Sequence, residues 1–241
     1  MTNQMGKFRY VARTHVGLKR KINEDAVLAL PEHDIWLVAD GMGGHDAGDF
    51  ASRLIADAVA TIPVGLEPAA RMRALRDAIM AAHNAIRAEA ETRGGGTIGS
   101  TVAALIIANQ HFVGLWAGDS RIYRLRDGHI DLLSVDHSAV ADYVLSGKMT
   151  WDEADQHPQA NAITRAVGVG EDLEIDKIRG DTRPGDRFLV CSDGLTKYAT
   201  FQMLEAELSN TPLETVGDRL IQIALTGGGA DNITVVVIDV V

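Results

Sequence analysis

Four uninterrupted apolar runs constrain the fold of this chain more than any other sequence feature. They cover residues 35–39, 101–107, 188–191 and 233–238. A strand with one face in solvent alternates apolar and polar residues, whereas an uninterrupted run indicates a strand that is covered on both faces. A parallel sheet meets this condition, and so does a β-sandwich with helices packed outside each sheet.

The connections between neighbouring segments favour the sandwich. Segments 111–117, 121–126 and 129–133 follow one another with very short links, and Asp127-Gly128 between the last two is a hairpin turn signal. Short links require antiparallel neighbours, because a parallel crossover needs about a dozen residues. We therefore predict an α+β fold with two antiparallel sheets and helices outside them.

Two amphipathic helices are predicted by apolar residues spaced three and four apart, within residues 51–59 and 72–86. Asp46 and Asp49 precede the first of them, where negative charge suits the positive end of a helix. Residues 138–165 are polar and helical in character, and they contain no strand pattern. We interpret this segment as a flap subdomain beside the sandwich.

Length, charge and cysteine content narrow the class of protein. A chain of 241 residues with 46% apolar content can bury one large core, so we expect a single domain over residues 1–241. The net charge of −10 disfavours nucleic acid and anionic membranes as partners. We find no apolar run of membrane-spanning length and no signal peptide, and the single Cys191 allows no intramolecular disulfide. These features predict a cytoplasmic protein.

Two segments share a design that points to cation binding. Asp40-Gly41 and Asp193-Gly194 each follow an apolar strand. A carboxylate at a buried strand end is costly unless its charge is compensated, and a cation would compensate it. The glycine permits a tight turn, so a backbone carbonyl can also approach a metal. An ordinary turn remains the alternative for each segment, and it is the better interpretation for Asp127-Gly128.

Further acids stand in similar positions near strand ends. Glu24-Asp25 precedes a strand, Asp119 closes another, and Asp231-Asn232 opens the last. They are too far apart in sequence to lie on one helix, but a sheet scaffold could bring them together. All of these ligands would be oxygens, which suit Mg²⁺ or Mn²⁺ and disfavour zinc.

The order of short motifs along the chain resembles the metal-dependent protein phosphatase 2C (PPM) family, in its small stand-alone bacterial form. The resemblance covers nearly the whole chain. The motifs are Gly17-x-x-Arg20-x-x-Asn23-Glu24-Asp25, Val38-Ala39-Asp40-Gly41-Met42-Gly43-Gly44, Gly99-Ser100-Thr101, Gly118-Asp119-Ser120-Arg121-x-Tyr123, Asp136-His137-Ser138, Asn161-x-Ile163-Thr164-Arg165-Ala166-Val167-Gly168, Ser192-Asp193-Gly194-Leu195 and Asp231-Asn232-Ile233-Thr234. One such tetrapeptide is weak evidence for a family, whereas eight in order are strong.

The resemblance implies a four-layer α-β-β-α sandwich with two Mn²⁺ or Mg²⁺ ions at one edge. Asp40 would bridge the two ions, and Asp193 and Asp231 would complete the coordination of one ion. The Gly41 carbonyl and a water molecule held by Glu24 would be ligands of the other ion. A third, weaker metal would fall on Asp119 and Asp193. Asp25 would orient bound water, and Asn232 would support the ligands from behind.

The resemblance also implies the activity, which is hydrolysis of phosphoserine and phosphothreonine in proteins. A hydroxide bridging the metals would attack phosphorus in line, while Arg20 grips the phosphate. The expected partners are phosphorylated proteins, including a Hanks-type kinase and its substrates, and we expect a monomer. A catalytically silent phosphoprotein-binding module and a hydrolase of small phosphate esters are the alternatives on the same fold.

Two positions depart from the family pattern. Met42 stands where eukaryotic members carry a proposed general-acid histidine, so protonation of the leaving group would fall to a metal-bound water or another residue. His15 replaces the aspartate of the usual Ser/Thr-Asp-x-Gly sequence.

Cys191 does not belong to a Cys-x₅-Arg phosphatase loop, because the residue six positions after it is Lys197 and not an arginine. We interpret Cys191 as a core residue.

Overall fold

The computed structural model describes residues 3–5, 8–43 and 47–241, with the backbone alone for 3–5. The strands are β1 (Asn3–Met5), β2 (Phe8–His15), β3 (Asp25–Leu30), β4 (Ile35–Gly43), β5 (Ile98–Ser100), β6 (Val102–Ala108), β7 (His111–Ala117), β8 (Arg121–Arg126), β9 (His129–Leu132), β10 (Asp176–Asp181), β11 (Arg187–Cys191) and β12 (Ile233–Val240). The helices are α1 (Ala47–Ala60), α2 (Pro68–Thr92), α3 (Ala141–Leu145), α4 (Trp151–Ala154), α5 (Asp193–Thr196), α6 (Phe201–Asn210) and α7 (Leu213–Gly227).

The strands form two sheets in which every pairing is antiparallel. One sheet has the order β1-β2-β12-β11-β8-β9, and the other has the order β10-β7-β6-β4-β3, with β5 added to the end of β4. The predicted pair of antiparallel sheets is therefore confirmed. The last strand, β12, pairs with both β2 and β11, so the two ends of the chain meet in one sheet.

Three apolar layers explain the uninterrupted runs. In β4, Trp36 and Val38 pack between the sheets, while Ile35, Leu37 and Ala39 pack against α1 and α2. Strand β12 is covered in the same way, because its residues alternately face the other sheet and the helices α6 and α7. Both faces of these strands are covered, as the sequence pattern predicts.

Both predicted helices are present. The apolar stripes of α1 and α2 are buried against the second sheet, including Ile55, Val59, Leu75 and Ile79. Asp49 lies in the first turn of α1, whereas Asp46, which we also placed before this helix, lies outside the described residues.

The Asp127-Gly128 hairpin is confirmed as well. Both residues have positive φ, at 53° and 78°, which is the conformation of a tight two-residue turn between β8 and β9.

Cys191 is fully buried in the layer between the first sheet and its helices, in agreement with its interpretation as a core residue.

Residues 138–165 stand between β9 and β10 and contain the short helices α3 and α4. An isolated bridge between Ser138 and Ile163 closes the base of the segment, and Thr150 caps α4 with a capping box to Glu153.

Among the described helices, none combines the length and the apolar content that crossing a membrane requires.

Candidate metal centre

Asp40 lies inside β4, where the strand leaves the sandwich core. Its Cα pairs across the sheet with Asp25 of β3, so the two acids are direct neighbours. The backbone of Asp40 is held from the other side by Thr101, whose hydroxyl accepts from the Asp40 N–H at 3.1 Å and whose N–H donates to the Asp40 carbonyl at 2.8 Å. Thr101 also bonds Ser120, the residue after Asp119, at 2.7 Å. The strand ends that carry Asp40 and Asp119 are therefore connected.

The glycine after Asp40 is required by close packing. A Cβ on Gly41 would stand 2.1 Å from the carbonyl oxygen of Gly48 and 2.6 Å from that of Glu24. A Cβ on Gly48 would in turn stand 2.5 Å from the Glu24 carboxylate. The start of α1 therefore lies against Glu24, where its N–H groups and dipole favour negative charge.

Asp193 and Asp231 are brought together by β11 and β12. Asp193 begins α5 with one residue between it and the end of β11, and a Cβ on Gly194 would meet the Asn232 carbonyl at 1.9 Å. Asp231 precedes β12, and its Oδ2 accepts a hydrogen bond from Arg20 Nη2 at 2.8 Å. The Arg20 side chain is 49% exposed, so the guanidinium reaches the site while remaining accessible from solvent.

Asn232 fixes the loop that carries Arg20 and Glu24. Its Nδ2 donates to the carbonyls of Val16 and Ile22, and its Oδ1 accepts from the Glu24 N–H at 2.7 Å. Only 3% of Asn232 is exposed, and its three bonds leave little freedom for the loop. The role of Asn232 behind metal ligands, which the resemblance implied, stays a prediction.

His15 occupies the position of the expected aspartate, and its Nδ1 accepts a hydrogen bond from the Gly17 N–H at 2.9 Å. Gly17 has a φ of 81°, and a Cβ there would meet the Asp231 carbonyl at 2.1 Å. An aspartate side chain makes the same type of bond to the N–H two residues on. The histidine therefore replaces the aspartate as the acceptor within this turn.

Asp25 lies beneath the other acids, where it is 7% exposed. Its Oδ2 accepts from the Ser192 hydroxyl at 2.8 Å, and among the described residues its Oδ1 has no hydrogen-bond partner. Asp193 Oδ1 is likewise buried without a partner among those residues. Two unpartnered carboxylate oxygens in one place require either protonation or a cation.

The electrostatics of the acids are dominated by burial and mutual repulsion. Burial, followed by the charges of Asp193 and Asp231, raises the pKa of Asp25 to about 7. Burial also raises the pKa of Glu24 and Asp193 and holds that of Asp119 well above its usual range. The pKa of Asp40 is likewise raised well above its usual range, first by burial and then by the charges of Asp25, Asp193, Asp119 and Asp231.

These observations fit a divalent metal site. Within residues 8–43 and 47–241, no three His, Cys, Asp or Glu side chains are arranged to hold an ion by themselves. Mg²⁺ is usually held by one or two carboxylates and keeps several waters, so it does not require three such side chains. The oxygen-only donors and the unpartnered buried oxygens of Asp25 and Asp193 match that chemistry.

A second charged group lies directly beside these acids, and sequence reasoning did not identify it. Arg121 is 2% exposed and makes bidentate ion pairs with Asp136 and Asp155, with shortest N–O distances of 2.7 and 2.6 Å. Its guanidinium also lies 4.9 Å from the centre of the Trp151 ring. Arg121 therefore attaches α4 and the residue after it to β8. Arg121 and Asp136 belong to the sequence motifs, but the motifs do not predict the ion pair between Arg121 and Asp155.

Comparison with known proteins gives the family. The protein phosphatase 2C family model matches residues 17–230. The chain is 39% identical to the Mycobacterium tuberculosis serine/threonine protein phosphatase PstP over 97% of this chain, but it spans only 45% of that relative's length. It is similar to the structure of PppA, a key regulatory component of T6SS in Pseudomonas aeruginosa, with 43% identity and a TM-score of 0.91 over 98% of this chain and 99% of PppA.

A third likeness is to the PstP catalytic domain in complex with two manganese ions. The identity is 37%, the TM-score is 0.84, and the match covers 97% of this chain and 98% of that one. With a family model matching most of its length, the chain belongs to the protein phosphatase 2C family, as its motifs indicated.

Proposed function

We propose that this protein is a metal-dependent phosphatase that removes phosphate from phosphoserine and phosphothreonine in proteins. The observation that carries the proposal is the meeting of Asp25, Asp40, Asp119, Asp193 and Asp231 beside Arg20 at one edge of the sandwich. Support comes from PstP, which is named a serine/threonine protein phosphatase and has been determined with two manganese ions. The match to the protein phosphatase 2C family points to the same activity.

The ligands we propose for two Mn²⁺ or Mg²⁺ ions are Asp40, Asp193, Asp231, the Gly41 carbonyl and Glu24 acting through water, with Asp119 near a third position. Bound divalent ions supply activation of water near neutral pH and neutralisation of phosphate charge. Asp25 would accept hydrogen bonds from water in the site, and Asn232 holds the loop that bears Glu24.

Arg20 would bind the phosphate of the substrate. Its side chain is half exposed and is anchored through one nitrogen to Asp231, so the remaining N–H groups can turn outward. A guanidinium can bond two phosphate oxygens at once, which orients the ester for in-line displacement. Met42 has no proton to donate, so the leaving serine or threonine oxygen would take its proton from a metal-bound water or from another residue.

The physiological substrates would be proteins phosphorylated by a Hanks-type kinase of a bacterial cytoplasm. The protein would act as a monomer, with residues 138–165 as a flap beside the site. The similarity to PppA favours a regulatory role such as the control of a secretion system.

The proposal is tested with p-nitrophenyl phosphate, bis-p-nitrophenyl phosphate and a phosphothreonine peptide, each with Mn²⁺ and with excess chelator. We expect Mn²⁺-dependent release of phosphate from the monoester and the peptide, and none with chelator. Binding of the peptide without turnover would identify a silent binding module, and preference for the diester would identify a different hydrolase. Either result would contradict the proposal.

A further inference from the structure

A groove lies on the two helices that cover the first sheet from outside. Its volume is about 360 Å³, and we call it the α6–α7 groove; its walls include Tyr198, Met203, Arg219, Ile223 and Gly227. Met203 is 39% exposed, although methionine is among the residues that are most often buried. Sites that take small molecules have volumes of about 300–1,000 Å³, so this groove can receive a large apolar side chain.

A short segment of the chain connects the α6–α7 groove with Arg20. Gly227 lines the groove, and Asp231, which bonds Arg20 at 2.8 Å, follows four residues later. Four residues span at most about 14 Å. The segment is held in place, because the Tyr198 hydroxyl accepts a hydrogen bond from the Ala230 N–H at 3.2 Å. The groove is therefore within reach of a peptide whose phosphate is bound by Arg20.

The surface between Arg20 and the groove is low and apolar. Residues 227–229 are three glycines, so no side chain rises from them. A Cβ on Gly229 would stand 3.0 Å from Leu18 Cγ and 3.1 Å from Leu225 Cδ2, which places both leucines at this segment. Leu18 is 60% exposed. An extended peptide can therefore cross here with apolar contacts along its path.

The charge of the α6–α7 groove suits a phosphorylated partner. The chain has a net charge of −10, yet among the described residues that line the groove there is no carboxylate. Arg219 is the cation among them, and its side chain is 63% exposed with one nitrogen 3.2 Å from Glu207. A segment that combines a large apolar side chain with the negative charge of a phosphate therefore complements this surface.

We propose that the α6–α7 groove is a docking site for the substrate protein, and that it takes a large apolar side chain about four residues from the phosphorylated residue. The contact lowers the KM for such substrates and takes no part in the chemical step. This inference rests on the proposed function, because the phosphate must be bound by Arg20 while the apolar side chain lies in the groove.

The test compares two phosphothreonine peptides with the unmodified protein in Mn²⁺. One peptide carries leucine four residues before and four residues after the phosphothreonine, and the other carries serine at both positions. We expect a KM about tenfold lower for the leucine peptide, which corresponds to about 1.4 kcal/mol, and an equal kcat. The KM for p-nitrophenyl phosphate serves as the reference, because that substrate is too short to reach the groove.

Three variants locate the contact. Met203→Glu places a charge in the α6–α7 groove and should abolish the preference for leucine without changing the KM for p-nitrophenyl phosphate. Met203→Ser removes the apolar contact more mildly and should weaken the preference. Val64→Glu is the matched control, since Val64 is 65% exposed between α1 and α2, and it should keep the preference.

Equal KM values for the two peptides in the unmodified protein would overturn the inference, and so would a leucine preference that persists in Met203→Glu. A dimer that dissociates in Met203→Glu, measured by sedimentation velocity, would show that the groove joins two copies of this chain instead.

Fluorescence anisotropy of the same peptides with excess chelator separates this inference from the proposed function, because it requires no turnover. Leucine-dependent binding that is lost in Met203→Glu would support the docking site even without phosphate release. Absence of phosphate release from every substrate would refute the proposed function alone.

Discussion

Two groups of buried acids lie side by side at one edge of this protein, and they differ in how their charge is neutralised. Asp136 and Asp155 share the buried guanidinium of Arg121, which donates bonds of 2.6 to 3.1 Å to the two carboxylates. Among the described residues, Asp25, Asp40 and Asp119 form no ion pair, and burial and mutual repulsion raise their pKa values. The charge of the first group is neutralised within the protein, whereas the charge of the second group has to be neutralised by a proton or an external cation.

The difference separates a structural role from a proposed functional one. A buried ion pair with satisfied hydrogen bonds specifies the position of an element, in this case α4 against β8. Buried carboxylates of the same sign destabilise the metal-free protein, and such groups are retained where a ligand compensates them.

The largest effect is expected at the uncompensated acids. Asp40→Ala or Asp193→Ala should lower Mn²⁺-dependent phosphate release at least about a thousandfold, because several kcal/mol of metal-based stabilisation are lost. The circular dichroism spectrum should be unchanged. Asp218→Ala is the control, since that acid pairs with Arg13 on the surface. Full activity in either cluster variant would reject the assigned site.

At the compensated acids, we expect a loss of stability. Asp136→Ala leaves part of the buried Arg121 charge unpaired, so the free energy of unfolding should fall by about 3 kcal/mol, measured by urea denaturation. Asp131→Ala, which breaks the half-exposed pair with Arg124, should cost under about 1 kcal/mol. Equal losses at the two positions would contradict the contrast.

The pH dependence of stability should follow from Asp25. Its folded pKa of about 7 lies above its unfolded value of about 4, so folding takes up a proton at this carboxyl. The resulting stabilisation is complete below about pH 4 and is lost as the pH rises through about 7. Asp25→Asn should flatten this decline in the metal-free protein, measured as the free energy of unfolding from pH 4 to 8. Identical pH profiles for the two proteins would exclude this assignment.

The smallest effect is expected at Arg20. Arg20→Ala should raise the KM for a phosphothreonine peptide about tenfold, which corresponds to one charge-assisted interaction, with a smaller change in kcat. Lys21→Ala, at the exposed neighbouring position, should leave KM nearly unchanged. A change confined to kcat would argue against phosphate binding by Arg20.

Much of the fold could be predicted from local pattern. Several elements are recognisable from the local sequence alone, because each shows a hydrophobic pattern or a turn signal. They are the apolar runs around Trp36 and Val236, the hairpin at Asp127-Gly128 and the apolar stripes of α1 and α2. Strands β2 and β10 were not predicted, because β2 mixes charged and apolar residues and β10 alternates weakly. Pairing with β12 and β7 defines them in the folded protein.

The residue types at strand ends, including Asp40-Gly41, Asp193-Gly194 and the lone Asp119, can be read directly from the sequence. Which of these acids acquires a counter-charge inside the protein depends on how distant segments pack. Asp155 pairs with Arg121 across 34 positions of the chain, and Asp25 meets Ser192 across 167. The reason is physical: the cost of a buried charge depends on the distance and solvation of its neighbours, and both are set by packing between distant segments.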